Sequence, residues 1–146
     1  MKKIMILLAV MLACAINMLA SAEEPDQQII NAFKKEFAAA QDVTWSLANK
    51  YYRADFEFNG ERVFAFYRSN GELYCVGRYI LSTQLPYYLQ KNLKKEYADY
   101  WITDLFEISG ENGTKYYVAL KKGDNNIILE SGDNINWELF HKYKND

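Results

Sequence analysis

His141 is the only histidine in the 146-residue chain, so a Ser-His-Asp or Cys-His arrangement would have to be built on it. It lies beside Lys142 near the carboxyl end, in a stretch that reads as the last strand, where a surface position is the expectation. A histidine-based metal site needs two or three neighbouring ligands, and the sequence does not supply them. Asp55 and Glu57 share one side of a predicted strand, as a glycosidase carboxylate pair could. Alternating acids are equally what a half-exposed strand carries, and that reading is preferred. Asp124, Glu130 and Asp133 in DNNIILESGD offer oxygen ligands without the spacing of a calcium loop, so a solvated turn is expected. No glycine-rich phosphate loop follows a strand. Cys75 falls inside a predicted strand and reads as a small buried residue. No catalytic set, metal or cofactor emerges, and the expectation is a protein that is not an enzyme.

Aromatic content stands apart, at 16% with twelve tyrosines. Strand alternation cannot bury Tyr51, Phe64, Phe66 and Tyr74 on the side that takes Tyr52, Val63, Ala65 and Cys75. With Arg53 and Arg78, the first set forms a candidate aromatic-basic platform. Tyrosine and arginine are enriched where proteins meet partners, because they cover large areas at little entropic cost. The competing reading is that other strands or a dimer mate cover these rings. If they are exposed, Phe64→Ser and Phe66→Ser leave melting almost unchanged.

The elements that position this platform are legible in Tyr51–Tyr79. Asn59-Gly60 and Asn70-Gly71 sit between runs rich in aromatic and β-branched residues. Asn-Gly tolerates the positive φ values of a two-residue type I′ turn, so three antiparallel strands are predicted. Before them, QQIINAFKKEFAAA places Ile29, Ile30, Phe33 and Phe37 on one helical face, after Pro25 and Asp26 in the first turn. DVTWSLANK then alternates as a strand. A second helix is predicted through STQLPYYLQKNLKKEY, capped by Ser82 or Thr83, with Pro86 in its first turn. Leu85, Tyr88 or Leu89, Leu93 and Tyr97 recur at helical spacing. WITDLFEIS, KYYVALKKG, NIILESG and INWELFHKYK follow as four strands separated by turn signals.

The chain therefore repeats: helix and four strands over about 25–80, then helix and four strands over about 82–144. NAFKKEFAAAQDVTW matches QKNLKKEYADYWITD in its lysine pair, its aromatic and its following strand. YYRADFEFNG matches YYVALKKG, and SNGELY matches SGDNINW. A period near 60 residues holds in pattern and turn position.

Met1–Ala22 has two lysines, an apolar run and Ala20-Ser21-Ala22, the marks of a secretory signal peptide cut before Glu23. An uncleaved anchor, or a lipoprotein signal using Leu12-Ala13-Cys14, are the alternatives. Cleavage leaves a single domain over 23–146, with 15 basic residues instead of 17 against 19 acids. A mildly acidic domain with dispersed lysines is a poor match to nucleic acid or anionic membrane. It keeps one cysteine, so no internal disulfide forms. The expected location is periplasmic or extracellular, without membrane insertion after cleavage.

This pattern resembles the periplasmic PepSY-like family, also described as β-lactamase-inhibitor-like. The residues that carry the likeness are FKKEFAAA, then Val43-x-Trp45, then Tyr52-x-Ala54-x-Phe56 before Asn59-Gly60. Val63-x-Ala65-x-Tyr67 and Ser69-Asn70-Gly71 follow, then the helix from Leu85-Pro86 through LKKEY. Arg68-Ser69 departs from the acidic residue often found beside the second turn. The resemblance implies a two-layer α+β domain made by duplication, with antiparallel sheet, both helices on one face and the opposite face open. It implies a small exported protein of Bacteroidetes-type bacteria. Related PepSY domains accompany peptidases, which suggests an inhibitory or protein- or peptide-recognising module acting through the open sheet face as a monomer or weak dimer. The alternative is a carrier of a small hydrophobic ligand held between sheet and helices.

Overall fold

A computed structural model describes residues 24–144. The expected signal peptide and Cys14 lie outside the described residues. Helix α1 spans Gln27–Glu36. Strands β1 (Gln41–Ala48), β2 (Tyr51–Phe58), β3 (Glu61–Tyr67) and β4 (Leu73–Tyr79) follow. A single 3₁₀ turn, Ser82–Gln84, leads to α2 (Tyr87–Glu96). Then come β5 (Trp101–Gly110), β6 (Gly113–Lys122), β7 (Asn125–Ser131) and β8 (Glu138–Lys144). The eight strands form an antiparallel sheet in sequence order, each hydrogen-bonded to its chain neighbours. The α+β class and the doubled helix-plus-four-strand plan are as the sequence predicts. The chain divides into two compact units, one ending at Cys75 and the other beginning at Val76.

In the first unit, α1 buries Ile29 and Phe33 against the side of β2 and β3 that carries Ala54, Phe56, Val63, Ala65 and Tyr67. Rings dominate this layer. Phe33 lies 5.4 Å from Phe37, 5.2 Å from Trp45 and 4.9 Å from Phe56, and Phe37 lies 5.5 Å from Phe58. The β2–β3 turn has φ of 53° at Asn59 and 78° at Gly60, the type I′ geometry that Asn-Gly suits. At Asn70-Gly71 only the glycine is left-handed, at φ 84°. Arg68 N–H donates to Glu72 O and Gly71 N–H to Arg68 O, so this is a longer turn closed by a glycine, not the expected two-residue one. Gln28 Nε2 donates to Asn70 O at 2.7 Å, and a Cβ on Gly71 would sit 3.2 Å from the Gln28 side chain. The positive φ at Gly71 is what makes the turn take glycine, since the Gln28 side chain could shift.

The second unit repeats the plan with an aliphatic core. Leu85, Leu89 and Leu93 pack on Leu105, Val118, Leu120, Ile127 and Leu129. Tyr88 is exposed, so Leu89 is the member of the stripe that turns inward. Ser82 and Thr83 do not cap α2. They belong to the 3₁₀ turn, whose Gln84 side chain accepts from Leu81 N–H at 2.7 Å, and α2 begins after Pro86. Trp137, expected within the last strand, lies before it, and its indole N–H donates to Leu89 O at 3.0 Å.

The two helices begin sixty positions apart, and strand pairing carries the match further. Gln41 pairs with Glu57 and Trp101 with Lys121; Thr44 pairs with Asp55 and Asp104 with Ala119. Both pairings contain a register shift at the corresponding place. Phe33, Phe37, Trp45, Phe56, Phe58 and Tyr67 thus correspond to Leu93, Tyr97, Leu105, Leu120, Lys122 and Ser131. A cluster of six rings in one unit is a cluster with one ring in the other.

Candidate functional site

Register sets the platform residues side by side. Arg53 pairs across β2–β3 with Phe66, and Asp55 with Phe64. The Arg53 guanidinium lies 4.7 Å from the Phe64 ring and 5.7 Å from Phe66. Asp55 receives it in a two-pronged ion pair, Nε at 2.8 Å and Nη2 at 2.6 Å. Tyr51 stacks on Tyr74 at 5.0 Å, and Arg68 lies over Tyr74 at 4.8 Å. Arg78 is half-buried and pairs with Glu107 at 2.9 Å.

Alternation therefore brought Tyr51, Arg53, Phe64 and Phe66 to one side of the strands as expected, but not into solvent. Phe64 and Phe66 are fully buried, and Tyr51 and Arg53 are buried at 7% and 5% exposure. The exposed platform is corrected for these four residues, while Tyr74 and Arg78 are half-buried. An arginine whose charge is answered by a carboxylate and whose flat faces rest on rings is stable away from water.

The other candidates are similarly engaged. Asp55 holds Arg53, so it forms no free carboxylate pair with Glu57. Glu130 takes Lys115 at 3.3 Å. Asp133 accepts from Ile135 N–H, Asn136 N–H, the Asn136 amide and the Ser131 hydroxyl. These donors hold its carboxyl down at about 2. His141 is exposed, its ring stacked on Tyr143 at 6.0 Å. Burial pushes the Cys75 thiol up to about 12, which leaves it unreactive. Among the described residues, no group of three or more His, Cys, Asp or Glu side chains is placed to hold a metal ion.

The surface that sequence reasoning missed lies in the second unit. Leu81, Tyr87, Tyr88, Trp101, Ile102, Ile135 and Leu139 are exposed there, Trp101 at 78% and Tyr87 at 71%. The first unit has no exposed large hydrophobic residue among those described. Setting the repeats sixty positions apart would have found it. Tyr87, Tyr88, Trp101 and Ile102 stand where the first unit has Gln27, Gln28, Gln41 and Asp42. Between α2 and the start of β5 the same unit opens a cleft of about 180 Å³. Leu93, Leu120 and Ile102 line it with Tyr97, Tyr100 and Lys94.

No family model matches the chain, and no curated protein matches it. Solved structures do. A BLIP-like protein from Bacteroides fragilis aligns at TM-score 0.69 and 19% identity, over 84% of this chain and 87% of that one. A protein from Bacteroides eggerthii, named as a candidate periplasmic protein, aligns at 0.74 and 15%, over 84% and 90%. A DUF2874 family protein from Bacteroides uniformis aligns at 0.73 and 15%, over 83% and 90%. The fold is BLIP-like. Among the described residues no helix is long and apolar enough to cross a membrane.

Proposed function

We propose that this chain is an exported, non-enzymatic binding module that recognises a protein or peptide through the exposed apolar surface of its second unit. One observation carries this reading: the same plan is built twice, and only one copy is apolar outside. Gln27, Gln28, Gln41 and Asp42 satisfy the fold in the first unit, so Tyr87, Tyr88, Trp101 and Ile102 are not required by it. Tryptophan and tyrosine are enriched at protein interfaces, where such residues supply much of the binding energy. The BLIP-like fold and the PepSY-like sequence pattern agree with a module of inhibitor type acting on a hydrolase of the cell envelope. The secretory signal read in Met1–Ala22 supplies the export. A carrier of a small hydrophobic ligand is less well supported, because a cleft of about 180 Å³ falls below the roughly 300 Å³ at which ligand pockets begin.

The test uses the mature chain from Glu23 and the variant Tyr87→Gln/Trp101→Gln, which copies the first unit's residues. Its stability is expected within about 0.5 kcal/mol of the parent, as for surface changes. A specific envelope protein retained by the parent is expected to be lost from the variant. Equal retention by both would overturn the reading.

A further inference from the structure

The chain holds three Asn-Gly pairs, Asn59-Gly60, Asn70-Gly71 and Asn112-Gly113, and each asparagine is exposed in a turn between strands. A glycine carries no Cβ beside its nitrogen, so that nitrogen can close on the side-chain carbonyl carbon of the asparagine before it. The attack requires the peptide between the two residues to rotate. The three turns differ in how firmly they hold that one peptide.

At Asn70-Gly71 it is pinned at both ends. Gln28 Nε2 donates to Asn70 O at 2.7 Å, and Gly71 N–H donates to Arg68 O at 2.9 Å. The Asn70 side chain is held as well, its Oδ1 accepting from Glu72 N–H at 3.1 Å. At Asn112-Gly113 the glycine opens β6 and pairs with Gly110 of β5, so the attacking nitrogen belongs to a residue already in the ladder. Asn59 and Gly60 both stand outside the β2–β3 ladder, whose last pair is Phe58 with Glu61. Among the described residues, no hydrogen bond holds the Asn59 side chain. A Cβ on Gly60 would meet nothing within 4 Å, so the space around it is open. Type I′ and type II′ turns differ by a flip of this central peptide, and both close a two-residue hairpin. The rotation therefore leaves β2 and β3 in place.

We propose that Asn59 is a self-modification site, selected by the fold from three Asn-Gly pairs, whose product loosens the β2–β3 hairpin. The Gly60 nitrogen bonds to Asn59 Cγ and gives up its proton, and the side-chain nitrogen leaves as ammonia. The five-membered succinimide that results is opened by water. Breaking the bond from Cγ to the Gly60 nitrogen gives aspartate. Breaking the bond from the Asn59 main-chain carbonyl carbon to that nitrogen gives isoaspartate, with the chain now running through the side chain. No electrons are transferred, and water is the only co-reactant. Isoaspartate adds one methylene to the backbone of a two-residue turn. The pairing of Phe58 with Glu61, and beyond it Asp55 with Phe64 and Arg53 with Phe66, depends on that length. Aspartate adds charge alone, and Asp-Gly suits the same turn.

The experiment ages the folded mature chain in mildly alkaline ¹⁸O-water and maps its tryptic peptides, in which each Asn-Gly pair falls separately. Uptake of ¹⁸O is expected in Ala54–Arg62, at least about tenfold faster than in the peptides of Asn70 and Asn112, whose bonds must break before attack. In urea that unfolds the chain the three rates are expected to converge, because the turns no longer differ. Uptake at Asn70 or Asn112 as fast as at Asn59 in the folded chain would overturn the selection. So would a folded chain that takes up none at Asn59 while the unfolded chain does. The isoaspartyl form, isolated from the aged sample, is expected to melt below the variant Asn59→Asp, which should melt with the parent. Equal melting of the isoaspartyl form and Asn59→Asp would overturn the loosening of the hairpin.

Discussion

At the scale of single residues, the aromatic set on β2 and β3 shows what alternation reveals and what it conceals. It fixed the side on which Phe64 and Phe66 lie, but a strand pattern carries no information about what covers that side. Phe64→Ser or Phe66→Ser removes a fully buried ring and leaves a hydroxyl in its place. The expected loss is about 3 kcal/mol or more, a fall in Tm on the order of 10 °C by scanning calorimetry. Tyr67 is the opposite case. Its hydroxyl is buried with no hydrogen-bond partner, and burial, with Glu36 adding to it, pushes its pKa far above the usual tyrosine range. Tyr67→Phe deletes a polar atom that makes no bond, so urea unfolding should show unchanged stability or a gain of up to about 1 kcal/mol. Cys75 was legible as a buried thiol from its place in a strand. Native protein should resist a thiol reagent at pH 8 and react fully once unfolded.

At the scale of elements, turn chemistry was legible where the backbone alone decided it. Asn59-Gly60 did so. Asn70-Gly71 did not: Arg68 N–H donates to Glu72 O, Glu72 N–H donates to Asn70 Oδ1, and these bonds close a longer loop that Gln28 braces from α1. The Arg68–Glu72 pair that closes it lies outside the two central residues from which the turn type was read. The turn before β8 is likewise organised by one carboxylate. Asp133 gathers two backbone N–H groups, the Asn136 amide and the Ser131 hydroxyl. Its folded pKa of about 2 lies below the ordinary 3.8. A depressed pKa means the folded state favours the charged form. The stabilisation is therefore complete above the unfolded value and lost as pH falls from about 3.8 through about 2. Asp133→Asn should lower Tm at pH 7, and its gap from the parent should narrow as the pH falls across that window.

At the scale of the molecule, the duplication was legible because turns and helix starts recur at a fixed interval. The asymmetry between the copies was in the same letters but needed residue-by-residue alignment. Glutamine against tyrosine at 27 and 87 looks like drift until burial shows both positions facing water. The strand order leaves β1 and β8 as the two ends of the sheet. Both end pairings carry a register shift, between Gln41 and Thr44 and between Ile128 and Leu129. Asp42 sits at the first with φ of 52°, a left-handed position that a β-branched residue resists. Asp42→Val should straighten this margin and raise thioflavin-positive aggregation under agitation, with the parent remaining clear.

The kinked margins have a consequence for a protein that meets other copies of itself. A pleated layer that ran straight to its borders would offer every neighbouring copy a row of open amides, and the chains would zip into fibrils. With both borders interrupted, backbone pairing between copies is disfavoured, and association is left to side chains, where sequence can choose the mate.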